Sequence, residues 1–447
     1  MKKAILFLCA MSLLGLMPVR AQKVWSLQEC FNYALENNLQ VKRQELNVQY
    51  NKNNLTQSYF NTVPSFNAGV NYGYSSGKSI DMAKLEYVNV DYWSGDMGLN
   101  GNMTLFSGLQ TYNNILKSKY DYLKSQADLE KSKNDMALLL TRAYLQILFA
   151  KELTDVAAKK LEVTSMQAER TRKMMEVGNV AQGEYLQIKA QESDDKTALI
   201  NAQNNRDIAY LDLTQLLDLD SVAGFEIVVP KNMEVEVLSP LESVQNIFDV
   251  ALQTMPEIRS ADYALKSSEK DLAMAWGQVS PSLDLSGNLS SRYSPNVDDP
   301  MDPDGTYTAK EQLGDNFYKQ VTFGLSIPIF NRLQIKNSIS NAKLQVNDTK
   351  LQYDIAKNAL YKEVQQAHAD ASAAREKYFS TVEAVKYNEE AFKYTSQKFE
   401  VGLVNSVDYN ISQKNLISAQ SNMLQAKYEY IFKLKILDLY MDKPIVL

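Results

Sequence analysis

Very little in this 447-residue sequence is equipped for covalent or redox chemistry. His368 is the only histidine. A solitary imidazole on a helix is far more often a packing or solvated residue than a metal ligand. No Walker-type phosphate loop occurs, and no nucleophile stands in a pattern with a base, so the sequence points away from an enzyme and calls for no cofactor or metal. Two carboxylates do stand at matching places. Glu184 and Asp408 each follow a glycine turn by a few residues, where a helix should begin. At such a position an acidic side chain complements the positive end of the helix dipole.

Those carboxylates sit in a duplicated chain. Ala34-Leu35 matches Ala251-Leu252, Leu55 matches Leu272 and Pro64 matches Pro281, all 217 residues apart. Glu176-Val177-Gly178 matches Glu400-Val401-Gly402 and Tyr185 matches Tyr409, at an offset of 224. The extra seven residues fall between Pro281 and Ile329, where Ser294 to Asp315 is rich in Pro, Asp and Gly, as a solvent loop should be. Each half has the same order: short helix, helix, two strands, very long helix, tight turn, helix. The expected boundaries are a first repeat over 22–221, a linker over 222–240 and a second repeat over 241–447.

Proline and glycine mark where the helices run. No proline occurs from Ser65 to Val229 or from Ile329 to Lys443. A proline in a helix interior costs about 3 kcal/mol, so a chain that needs long unbroken helices must exclude it. Thr111 to Val177 and Gln334 to Val401 read as continuous helices, each about 100 Å long at ~1.5 Å per residue. The second carries a coiled-coil seam through Ile339, Ala342, Val346, Tyr353, Ala356, Leu360 and Val364. Helices of this kind also suit an ordinary dimeric coiled coil. Glycines 178 and 402 then form the turns, with further helices over about Gly183–Asp218 and Ser406–Met441.

Four segments alternate with period two. Phe66, Ala68, Val70, Tyr72 and Tyr74 share a face in the first; Trp93, Met97, Leu99, Met103 and Leu105 in the second. Leu283, Leu285 and Leu289 do so in the third, and Phe317, Val321, Phe323, Leu325, Ile327 and Ile329 in the fourth, with Lys319 as an exception placed to snorkel. Apolar outside and polar inside is the pattern of a membrane barrel; a small soluble β-sandwich is the alternative. Four strands cannot close, and an open edge in lipid is prohibitive. Two subunits would give eight strands around a filled interior, and three would give twelve around a lumen.

The beginning of the chain fits export. Lys2 and Lys3, the apolar run Ala4 to Met17 and Val19-Arg20-Ala21 read as a signal peptide over 1–21, cleaved after Ala21; the apolar run is short for a membrane anchor. Losing Lys2, Lys3 and Arg20 takes the formal charge from −6 to −9, which is no surface for nucleic acid. Cys9 leaves with the signal and Cys30 then has no partner for an intrachain disulfide. No later segment is apolar enough for a membrane helix, so a membrane-spanning mature chain must be a β-barrel.

Trp25-Ser26-Leu27-Gln28-Glu29-Cys30 leading into Ala34-Leu35-Glu36-Asn37-Asn38, the strand entries at Pro64 and Pro281, and the two turn segments together resemble the TolC family of outer-membrane efflux proteins. Phe399-Glu400-Val401-Gly402 followed by Val407-Asp408-Tyr409 is similar to the family's second-turn motif, and Lys173 to Leu186 to the first. The resemblance implies α-helix plus membrane β: a homotrimer with one twelve-stranded barrel in the outer membrane above an α-helical periplasmic tunnel. It implies a periplasmic adaptor protein and an inner-membrane transporter as partners, and no cofactor. It places Glu184 and Asp408 at the periplasmic aperture, and Gly178, Asn179, Val180, Gly402, Leu403 and Val404 in the adaptor-docking turns. Phe399, Val404 and Ile411 depart from the polar residues some members use to close that aperture. The competing class is a secreted or periplasmic coiled-coil scaffold or adaptor without a pore.

Overall fold

A computed structural model describes residues 24–81, 86–230, 241–295 and 307–445. The signal segment, the end of the expected linker and most of the long loop after Ser294 lie outside these residues. In chain order the elements are β1 (Val24–Trp25), α1 (Leu27–Asn37), α2 (Leu39–Phe60), β2 (Ser65–Asp81), β3 (Glu86–Ser107), α3 (Gln110–Glu176), α4 (Gln182–Leu216) and β4 (Glu226–Ile227). They continue with α5 (Val244–Thr254), α6 (Pro256–Gly277), β5 (Ser282–Tyr293), α7 (Ala309–Asp315), β6 (Tyr318–Ser326), α8 (Gln334–Glu400) and α9 (Ser406–Tyr440).

Helix lengths repeat: 11 residues for α1 and α5, 22 for α2 and α6, 67 for α3 and α8, 35 for α4 and α9. Even unusual backbone repeats. Gly108 and Leu109 enter α3 at φ 62° and 63°; Arg332 and Leu333 enter α8 at 54° and 65°. Asp218 and Asp442, at φ 54° and 56°, close α4 and α9. A left-handed residue with a side chain costs roughly 1–2 kcal/mol, so tertiary packing must be holding these chain reversals.

The chain forms two compact units, and each draws on both halves. The described residues of the first are 24–46, 127–230, 241–259 and 356–445. Its core gathers Leu27, Cys30 and Ala34 of α1, Leu140, Tyr144 and Leu148 of α3, Leu213 of α4, Phe225, Ile227 of β4, and Tyr428 of α9. Cys30 is fully buried and serves as a small apolar side chain. Ser26 and Glu29 form a capping box on α1, each side chain accepting from the other's backbone N–H. The strands β1 and β4 pair in parallel, and the Tyr144 hydroxyl donates to the Val228 carbonyl at 2.6 Å beside them. This small sheet was invisible to the alternation pattern because each strand has only two residues.

The described residues of the second unit are 47–81, 86–126, 260–295 and 307–355. Its sheet is antiparallel throughout, in the order β2-β3-β5-β6. Facing pairs keep the two faces distinct. Phe66, Gly101, Gly287 and Val321 form one apolar row; Met103, Leu285 and Phe323 form another. On the opposite face Asn67, Asn100, Asn288 and Gln320 lie in register across all four strands. Thr104 donates to Asp284 at 2.7 Å, and Asn71 to Asp96 at 2.9 Å, on that same polar face. Val70, Phe66, Val321 and Phe323 are all at least two-thirds exposed, so the apolar face is uncovered within one chain.

Two strand expectations need correction. A bulge between Thr104 and Phe106 leaves Leu105 unpaired and brings Phe106, not Leu105, opposite Leu283. One extra residue flips every later side chain to the other face. The fourth strand ends at Ser326, short of Ile327 and Ile329, because Pro328 has no N–H to give the ladder. Lys319 pairs opposite Leu289, and its ammonium lies 5.0 Å over the Phe317 ring. The first hairpin also reaches further than the alternation suggested, with β3 starting at Glu86.

In this unit α3 and α6 are joined by the Ser267 hydroxyl on Asp121 (2.6 Å) and by Lys117 to Asp271 (3.8 Å). The helices α6 and α8 are joined by Ser268 and Thr349 (2.7 Å) and by Lys343 over Trp276 (5.2 Å). Among the described residues no helix is long and apolar enough to cross a membrane.

Candidate functional site: the two helical turns

The turns are built by glycine. At the end of α3 the Asn179 N–H donates to the Met174 carbonyl (2.9 Å) and the Gly178 N–H to Met175 (3.0 Å). At the end of α8 Leu403 donates to Lys398 (2.8 Å) and Gly402 to Phe399 (3.1 Å). These two bonds make a Schellman ending, and they require a left-handed residue between. Gly178 at φ 82° and Gly402 at φ 75° supply it. The next helices start differently. Asn405 caps α9 by accepting from the Asp408 N–H at 2.9 Å, whereas Ala181 before α4 offers no side-chain cap.

Each candidate carboxylate therefore lies in the first turn of a helix, Glu184 in α4 and Asp408 in α9. Asp408 is exposed and Glu184 half-buried. The structure brings their two helices together, because the Ser406 hydroxyl, fully buried, donates to the side-chain Oε1 of Gln187 at 2.7 Å. Gln187 is three residues after Glu184, and Ser406 two before Asp408. Behind this contact Tyr409 stacks on Phe399 at 4.8 Å and tilts against Phe392 at 5.4 Å. Phe399 is thus packed into the turn as an apolar partner of Tyr409. Burial pushes the Tyr409 hydroxyl above its ordinary pKa, so it stays neutral. Arg170 of α3 reaches Glu400 of α8 at 3.8 Å, an exposed pair worth little.

The docking-turn candidates divide by exposure. Gly178, Asn179, Gly402 and Leu403 are exposed, and Leu403 is 74% so; Val180 and Val404 are half-buried. Val177 and Val401, which the sequence reading took only as helix ends, are also exposed, so each turn presents bare aliphatic surface. Sequence reasoning missed Gln187 and Ser406 as well, since a polar pair 219 residues apart leaves no local pattern. It also missed the polar clasp between α3 and α4. Asp195, 1% exposed, holds Lys160 at 2.9 Å and accepts from Thr164 and Gln191 at 2.7 Å each. Among the described residues no group of His, Cys, Asp or Glu has a metal-binding arrangement.

Comparison with known proteins bears on the whole chain. Residues 31–218 and 247–439 each match the family model described as outer membrane efflux protein. The outer membrane efflux protein BepC of Brucella suis is 19% identical over 345 residues, spanning 76% of this chain and 70% of that one. The probable efflux pump outer membrane protein TtgC of Pseudomonas putida is 22% identical over 265 residues, 58% of this chain and 47% of that one. The fold matches the crystal structure of the CmeC outer membrane channel of Campylobacter jejuni with a TM-score of 0.78, at 16% identity, over 93% of this chain and 85% of that one. A family match over most of the length, on a fold of uncovered apolar strands and paired helical turns, means that the chain belongs to the outer membrane efflux protein family.

Proposed function

We propose that three copies of this chain pool their strands into one twelve-stranded barrel in the outer membrane, continued by an α-helical periplasmic tunnel. The observation that carries this is the four-stranded sheet itself. Its outer strands β2 and β6 each pair on one side only among the described residues, and its apolar face is bare. In lipid an unpaired strand edge leaves a row of backbone groups without partners, at several kcal/mol each. Copies of the same sheet, joined β6 to β2, remove both edges at once. The polar row of Asn67, Asn100, Asn288 and Gln320 then faces the lumen. A coiled-coil scaffold without a pore would have no use for such a sheet.

In this reading the repeats over 22–221 and 241–447, joined by 222–240, supply matching wall segments. The exposed turns at Gly178, Asn179, Val180, Gly402, Leu403 and Val404 dock a periplasmic adaptor, which couples the channel to an inner-membrane transporter. That transporter provides the energy, so this subunit conducts and does not catalyse. Glu184 and Asp408, on neighbouring helix starts, repeat three times about the axis and form acidic rings at the periplasmic aperture. Rings of carboxylates at a constriction favour cations. Single-channel recording of the detergent-purified protein in planar bilayers tests this. The native channel should be cation-selective and blocked by divalent ions, and the Glu184→Ala, Asp408→Ala channel should lose both properties. Unchanged selectivity and block would remove the carboxylates from the aperture. A monomer that stays dissolved in buffer without detergent would overturn the channel itself.

A further inference from the structure

Where the sheet of the second unit gives way to helices, a cleft of about 540 Å³ lies between the end of α6 and the segment joining β6 to α8. Trp276 and Val279 line one side, and Ile329 and Phe330 the other. All four are more than half exposed, and Ile329 is 94% so. The remaining wall comes from α8. There Lys336, Ser340 and Lys343 stand at steps of four and three residues and so share one side of the helix. Arg332, four residues before Lys336 and also exposed, extends that spacing just ahead of the helix. The Lys343 ammonium lies 5.2 Å over the Trp276 ring, a cation–π contact that ties the charge to the apolar wall.

Charge and position say what should enter this cleft. Between Asp315 and Asp348 the chain carries Lys319, Arg332, Lys336 and Lys343 and no carboxylate, and between Asp271 and Asp284 it has no further carboxylate either. The sequence as a whole has more acid than base, 53 Asp and Glu against 47 Lys and Arg, so this excess of cations is local. Among the described residues Arg332, Lys336 and Lys343 form no ion pair. The cleft also begins where the bare apolar face ends. Leu283 and Leu325 pair in the last apolar row, β5 starts three residues after Val279, and β6 stops three residues before Ile329. Apolar surface, then an aromatic ring, then cations is the order met on passing from the acyl chains of a leaflet to its phosphates. Duplication does not account for the cluster. At the offset of 224 the first repeat has Gly108, Tyr112 and Lys119, one cation in place of three.

We infer that this cleft seats one anionic phospholipid from the leaflet nearest the helices. Its phosphate lies between Lys336 and Lys343 with Arg332 close by, and an acyl chain runs past Phe330, Ile329 and Trp276 onto the apolar face. The seat rests on the reading above that this face lies in lipid, and it adds a specific ligand to that reading. Lys336 and Lys343 are two turns apart, about 10 Å along the helix, so their long side chains can converge on one phosphate with the Ser340 hydroxyl between them. A zwitterionic headgroup brings its own cation into a cluster that already has three, so the cleft should favour a lipid with net negative charge.

The test is native mass spectrometry of the detergent-purified chain, titrated with phosphatidylglycerol or with phosphatidylcholine of the same acyl chains. The native chain should hold phosphatidylglycerol more tightly, a preference that needs no variant to detect. A cation beside an anionic lipid surface contributes about fivefold in affinity, so Lys336→Gln with Lys343→Gln should weaken phosphatidylglycerol binding on the order of 25-fold. Lys119→Gln with Lys350→Gln removes the same charge at exposed lysines outside the cleft and should bind as the native chain does. Unchanged helical circular dichroism in both variants separates loss of the seat from loss of the fold. Equal binding of the two lipids, undiminished binding by the Lys336→Gln, Lys343→Gln chain, or an equal loss in the other variant would each overturn the seat and leave the channel standing. Displacement of the lipid by inorganic phosphate would reduce the cleft to a bare anion site and overturn it too. A native chain that stays dissolved without detergent and takes up no lipid would sink the seat and the channel together.

Discussion

Replacing Lys160 with methionine isolates the buried clasp of the first hairpin. Asp195 keeps 1% of its side chain exposed and Lys160 14%, so this pair is sheltered from solvent screening. One carboxylate oxygen accepts from Lys160 and Gln191, the other from Thr164. Removing one partner of a buried pair costs about 3–5 kcal/mol, because the surviving charge is left uncompensated. Thr164 and Gln191 still donate, which argues for the lower end, about 3 kcal/mol. The second hairpin shows the alternative: at the same offset of 224 it has Ala384 and Ala419. Lys160→Met combined with Asp195→Ala should therefore cost only about 1 kcal/mol, since no buried charge remains. The readout is hydrogen exchange of the amides of residues 157–168 and 188–199 in the detergent-solubilised protein. Local opening is measured there without requiring two-state unfolding of a membrane assembly. At about 1.4 kcal/mol per tenfold, Lys160→Met should exchange on the order of 100-fold faster, and the double variant within about tenfold of the native protein. A single variant within roughly threefold of native, or a double variant as fast as the single, would refute the clasp as a stabilising charge pair.

Two further substitutions follow from the same packing. A methyl group on Gly108 would run into the carbonyl oxygen of Gly277, where the entry to α3 crosses the end of α6, and Gly277 meets the Gly108 carbonyl in return. Backbone cannot give way as a side chain can, so on unheated gels Gly108→Ala should lose the folded, oligomeric band expected of the native chain, and a native-like band would disprove the close approach. Glu257 lies in the first turn of α6, and burial, reinforced by the nearby Glu363 and Asp135, lifts its pKa above the ordinary 4.5 against the pull of Lys131. A carboxyl raised in the fold favours the folded state below pH 4.5 and loses that contribution as pH climbs through its folded value. Glu257→Gln should accordingly raise the thermal midpoint at pH 7.5 and leave it nearly unchanged at pH 4; an equal shift at both would assign the effect to packing.

Where the sequence was legible, one rule acted alone. Excluding Pro and Gly from two long stretches predicted α3 and α8 to within a residue or two, since nothing else along them breaks a helix. Period-two alternation located all four long strands because one face had to be apolar throughout. The reading failed where a single residue changed register. Leu105 fits the alternation perfectly as text, yet it is the bulge, and only the pairing of Phe106 with Leu283 reveals that. At the turns the glycines announced the backbone, whereas the Ser406–Gln187 contact and the Asp195 clasp depend on helices meeting in space.

The duplication explains why backbone was more legible than side chains. At the start of α2 the Leu39 N–H donates to Asp218 at 3.0 Å, and Asn38 donates to the Leu216 carbonyl at 3.1 Å. The corresponding first residue of α6 is Pro256, which has no N–H and needs no acceptor. Asp442 nonetheless keeps the left-handed backbone of Asp218, at φ 56° against 54°. Likewise Gly108 and Arg332 enter their long helices with nearly the same φ, although one is hemmed in by a neighbouring carbonyl and the other carries a full side chain. The two halves therefore share a backbone path set by helix length and packing, and each satisfies that path with its own hydrogen bonds. Charge has diverged in the same way: the first hairpin holds a buried ion pair, Lys160 and Asp195, at the places where the second has two alanines, Ala384 and Ala419.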